Sequence, residues 1–165
     1  MTKRTQLPRR HLLLGTLLAI GAGIAHAGHS NTVLTTQLSG QEEVGPDARI
    51  AGDPNGRGEA YVFGIDGDDS TLCYVLTVEK IQLVPVGDGM AAHIHEGARG
   101  ENGPPVVFLA GPEDGDAADC IGGLDALLVQ DILGNPSGFY INVHNPEYPP
   151  GALRGQLRAL QDGQD

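Results

Sequence analysis

The chain has 165 residues, with 21 acidic against 10 basic side chains and a formal charge of -11 at pH 7. That balance excludes nucleic acid and anionic lipid as partners, since both require cations to neutralise their phosphates. Three Phe, four Tyr and no Trp leave little aromatic surface for stacking sugars or unpaired bases.

Residues 1–27 differ in character from the rest of the chain. Lys3, Arg4, Arg9 and Arg10 form a basic start, residues 12–24 are a run of Leu, Ala, Gly, Ile and Thr, and Ala25-His26-Ala27 is a small-x-small cleavage pattern. Together these predict a secretory signal peptide, and the arginine pair ahead of the apolar run is compatible with a twin-arginine type. The apolar run falls short of the ~20 residues a helix needs to span a bilayer, so no membrane span is expected after cleavage. Cleavage leaves six basic against 21 acidic side chains, a formal charge near -15, on a single exported domain, residues 28–165, that is periplasmic or extracellular. Cys73 and Cys120 are its two cysteines. An even count in an exported chain favours one disulfide between them, with two separate buried thiols as the alternative.

Along the chain, 25 Gly and 11 Pro are scattered and long helical periodicity is nearly absent, which is how short strands with tight turns are written. Residues 32–38 alternate β-formers with polar residues and predict a first strand. After a turn-rich stretch at 45–58, residues 59–65 read as a second strand. Residues 66–69 form a hairpin turn, and 70–80 return as a third strand with Leu72, Tyr74, Leu76 and Val78 on one face. Residues 91–95 and 106–109 are short strands around a Gly-rich loop. Residues 124–133 carry the one helical pattern, Leu124, Leu127, Leu128 and Ile132, and Pro136 closes it. Residues 138–144 and 151–160 are the last two strands, joined by a Pro-containing turn, and 161–165 read as a polar tail. Strands so spaced predict an all-β fold, an antiparallel β-sandwich of two facing sheets with at most one short helix and a core of about residues 32–160.

Three blocks carry a resemblance. Leu38-Ser-Gly-Gln-Glu-Glu43 opens the domain, His93-Ile-His-Glu-Gly-Ala-Arg-Gly-Glu-Asn-Gly-Pro-Pro-Val-Val107 lies mid-chain, and Tyr140-Ile-Asn-Val-His-Asn-Pro-Glu-Tyr-Pro-Pro-Gly-Ala-Leu-Arg-Gly-Gln-Leu157 closes it. In order and spacing these resemble the signature blocks of the CHRD domain family, found repeated in chordin and singly in bacterial secreted proteins. The resemblance implies an immunoglobulin-like sandwich and a non-enzymatic binding or scaffold domain whose ligand, an unknown protein or cell-surface group, does not carry over.

The residues themselves suggest a site. In a strand, positions i and i+2 share a face, so His93 projects beside His95, and Asn142 beside His144. If the two strands are neighbours, three imidazoles converge, a ligand set that suits copper or zinc, with water or Glu96 in a fourth position. Glu96 and Asn142 are equally suited to hold the rings' tautomers. The alternative is a purely structural network of satisfied polar groups on a buried sheet face. The His-x-His-Glu pattern is also similar to part of the copper-zinc superoxide dismutase motif, yet no His between His95 and His144 is there to bridge a second metal, so a mononuclear redox enzyme is the remoter alternative. His29, near the new N-terminus, reads as part of a solvated tail.

Arg154 sits in an otherwise apolar strand and is expected to pair with a carboxylate such as Glu43 or Glu96, ahead of binding an anionic ligand. Asp66, Asp68 and Asp69 lack the twelve-residue calcium-loop pattern. No nucleophile elbow, phosphate loop or His-Glu-x-x-His helix is present. The expectation is therefore a non-enzymatic extracytoplasmic domain held by a Cys73–Cys120 disulfide and a polar network of His93, His95, Asn142, His144 and Arg154. The competing expectation is a periplasmic copper or zinc binder using His93, His95 and His144.

Overall fold

The computed structural model describes residues 32–45, 47 and 49–160. The proposed signal peptide, His29 and the polar tail at 161–165 lie outside the described residues. Among these residues nine strands and one α-helix follow one another: β1 (Val33–Ser39), β2 (Arg57–Ile65), β3 (Asp68–Glu79), β4 (Ala91–Glu96), β5 (Pro105–Leu109), β6 (Asp116–Ile121), α1 (Ala126–Gly134), β7 (Phe139–His144), β8 (Leu153–Gln156) and β9 (Arg158–Ala159).

Local chemistry sets most of these boundaries. Gly67 takes a φ of 80° between β2 and β3, a left-handed conformation that costs glycine little and closes the hairpin after Asp66. Asp125 caps α1, its carboxylate accepting the Leu127 N–H at 2.8 Å. The last predicted strand is broken at Leu157, whose N–H turns to the Phe139 carbonyl, leaving β9 to pair with β1. Strand β6 carries no run of β-formers that would announce it. It exists as the edge partner of β3, where Cys73 faces Cys120 in register and the two are joined as a disulfide.

The strands form one antiparallel ladder, in the order β5-β4-β7-β8-β1-β2-β3-β6. Two discrete facing sheets of the immunoglobulin kind are not confirmed, because β1 is bonded along both edges, to β2 on one side and to β8 and β9 on the other. The sheet curls nearly into a barrel. Near its two ends, the Tyr74 hydroxyl on β3 accepts the N–H of Ala110, just past β5, at 2.7 Å. Inside lies a single apolar cluster that includes Leu34, Val62, Leu76, Ile94, Ile141, Val143 and Leu153, with Val129 and Ile132 of α1 packed into it.

The disulfide closes a separation of 47 residues. In the chain-entropy account that removes about 4 kcal/mol of unfolded-state freedom. Urea unfolding with and without reductant is expected to differ by that order, and an unchanged midpoint in fully reduced protein would contradict it.

Candidate metal centre

The alternation of β4 decides where the histidines go. Ala92 and Ile94 are buried in the core, so His93 and His95 leave on the outer face. The same holds on β7, where Ile141 and Val143 point inward while Tyr140, Asn142 and His144 point outward. Strand β4 is hydrogen-bonded to β7 with His93 opposite Asn142 and His95 opposite Tyr140. The cluster therefore lies on the outside of the sheet, not on a face toward the apolar core. It is half-buried because loops close over it.

Those loops are tied down by specific contacts. Arg99, in the loop after β4, forms an ion pair with Glu42 in the loop after β1, and Asn102 Nδ2 donates to the Val44 carbonyl at 2.9 Å. Gln156 on β8 donates to the carbonyls of Gly97 and Phe139, each at 2.8 Å. Gly151 supports a third approach. At its φ of 154° it has no side chain to clash, whereas a Cβ there would lie 2.5 Å from the Glu43 carboxyl.

His93, His95 and His144 each offer a ligand nitrogen, and the three nitrogens lie within 4.8 Å of one another. The Nδ1–H of His95 donates to the Gly103 carbonyl and that of His144 to the Pro149 carbonyl, both at 2.9 Å. That pairing sets the tautomer and leaves each Nε2 with a free lone pair. His95 Nε2, His144 Nε2 and His93 Nδ1 are all buried without a hydrogen-bond partner among the described residues. Burial holds all three rings below the ordinary histidine range. His93 is pushed down to about 4 by burial and then by the neighbouring His144 and His95. At neutral pH the site presents three uncharged imidazoles.

Around the triad runs a second layer that sequence reading only partly foresaw. Tyr140 stacks on His95 with ring centroids 4.9 Å apart and 15° between planes. Above Tyr140 lies the Arg154 guanidinium, 3.5 Å from the ring centroid. Arg154 is 1% exposed and donates to the Ala98 carbonyl at 2.8 Å and to Asn102 Oδ1 at 3.4 Å. The expected ion pair with Glu43 or Glu96 is not formed among the described residues: the guanidinium spends its donors on a carbonyl and an amide, and Glu43 feels only its charge. Glu43 is buried and accepts a hydrogen bond from Asn142 Nδ2. Burial pushes its carboxyl up to about 7, against the opposing pull of the Arg154 charge. Glu96 takes none of its three predicted roles, as ligand, as tautomer-holding partner or as partner of Arg154. It is exposed at the end of β4, and as the residue after His95 its side chain leaves the strand toward the opposite face. The signal for Tyr140 was present in the sequence as the i, i+2, i+4 series with Asn142 and His144.

The CHRD domain family matches residues 34–157, three quarters of the chain. Neither the curated proteins nor the solved structures yield a match.

Proposed function

The chain belongs to the CHRD domain family, and within that frame we propose a non-enzymatic, extracytoplasmic metal-binding domain that holds copper or zinc through His93 Nδ1, His95 Nε2 and His144 Nε2. One observation carries the reading: the three histidines each bring a ring nitrogen within 4.8 Å of the others, and each ring carries a buried nitrogen with no hydrogen-bond partner among the described residues. A purely structural network would be expected to satisfy these atoms, because each orphaned polar group costs about 1–3 kcal/mol. An ion answers all three at once. Zinc-nitrogen bonds of about 2.0–2.1 Å set tetrahedral ligands roughly 3.3 Å apart, a contraction within reach of small side-chain rotations.

The surrounding chemistry agrees. Carbonyl oxygens on the far nitrogens of His95 and His144 are the usual means of orienting such ligands, and the strongly acidic mature chain draws cations toward it. Among divalent ions copper binds such a nitrogen set more tightly than zinc. Protein exported through its own leader and analysed for metal content should carry copper or zinc at one equivalent. Calorimetric titration of the stripped protein should refill one site. Empty protein that takes up neither metal would return the cluster to a structural role.

A further inference from the structure

Against His95 lies a cavity of about 210 Å³ whose walls also include Glu43, Gly103, Tyr140 and Pro150, with Asn142 among its lining residues. Asn142 shares the outer face of the β4–β7 pair with the three histidines. It faces His93 across the β4–β7 ladder and lies two positions before His144 on β7. The residue is 3% exposed, its Nδ2 is committed to Glu43, and its Oδ1 is buried with no partner among the described residues. The nearby donors are already used, since the Gly103 N–H goes to the Tyr140 hydroxyl and Asn102 Nδ2 to the carbonyls of Val44 and Gly45. Asn142 Oδ1 is therefore an acceptor to which none of the described residues donates.

We infer that this cavity seats a fourth, exchangeable ligand of the metal and selects a small proton-bearing molecule, such as water or ammonia, over an aprotic anion such as azide. The inference rests on the metal-binding reading above. Three protein ligands leave one coordination position open. A ligand bound there through oxygen or nitrogen becomes a stronger hydrogen-bond donor, and Asn142 Oδ1 receives that hydrogen bond. Azide brings only lone pairs, which meet the amide oxygen's own and leave it unsatisfied, and a site built for a donor rejects a ligand lacking one. Glu43 is a positioning residue here, since accepting from Nδ2 turns the other end of the amide to the cavity.

The test uses the full mature chain loaded with Cu(II), with copper content measured first, and with ammonia and azide titrated against the optical spectrum at one pH. Asn142→Leu is expected to keep one copper and to raise azide affinity relative to ammonia at least tenfold. Glu43→Gln keeps a hydrogen-bonding partner for Asn142 but frees the amide to turn, and is expected to shift the same ratio a few-fold in the same direction. A ratio unchanged in both variants overturns the inference while leaving the metal site standing. Loss of copper from folded Asn142→Leu overturns it too, because Asn142 would then be a direct ligand. Wild-type protein without copper sinks the metal reading itself, and is seen before any ligand is added.

Discussion

Replacing Arg154 with Met is expected to cost about 3–5 kcal/mol of folding stability, the range for removing one partner from a buried charged network. Methionine keeps most of the volume, so the loss reports on the guanidinium and not on a cavity. Its removal strips the donor from the Ala98 carbonyl and from Asn102 Oδ1 and the cation from above Tyr140. Arg154→Lys restores the charge but not the flat donor fork, and should recover only part of the loss. The pH dependence gives a second readout. A carboxyl raised in the folded state contributes stability that is full below its ordinary value and is lost as pH rises through the folded one. For Glu43 that window runs from 4.5 to about 7. The Arg154 charge holds the upper limit down, so its removal extends the loss to higher pH, and the variant should be more penalised at pH 8 than at pH 5. Urea unfolding at both values measures this, and a loss under 1 kcal/mol at each would mean that Arg154 is not a keystone of the site.

The legible part of this molecule is the part written as alternation. Leu72, Tyr74, Leu76 and Val78 announced β3 and are buried, and the i, i+2 spacing of His93 and His95 placed both rings on one face before any strand partner was known. That β4 pairs with β7 was an assumption from sequence, because pairing between strands so distant in the chain depends on the closure of the whole sheet. Strand β6 was missed for a related reason. Asp116-Ala-Ala-Asp-Cys-Ile has weak intrinsic preference for a strand and owes its conformation to its neighbour β3. Direction was the subtler failure. Alternation says which residues share a face, not which face is the core, and only the burial of Ile94, Ile141 and Val143 shows that the imidazoles look outward. The misplacement of Glu96 follows from crediting adjacency along the chain, where the pleat sends successive side chains apart.

Substituting Ala for His95 is expected to lower copper or zinc affinity at least a hundredfold. Changing only the partners that orient a ligand typically costs 10–100-fold, and here a ligand itself is lost. His95→Ala removes one of three protein nitrogens and, with it, the ring packed on Tyr140. His95→Gln keeps a polar side chain but not the imidazole Nε2, and should lose comparable affinity with less damage to packing. Acid separates binding from folding. All three rings have pKa values held below the ordinary value, so the unfolded chain takes up protons first as pH falls. Their contribution to stability is therefore complete above about 6.5. It is lost on acidification through the lowered values, which for His93 means toward about 4. Bound metal competes with those protons and should hold the protein folded at an acidity that unfolds the empty form. In the His95 variant that protection should largely vanish. The measurement is thermal unfolding from pH 4 to 8 with and without one equivalent of copper. If wild type and His95→Ala gain equally from the metal, the ion binds elsewhere and the triad is not its site.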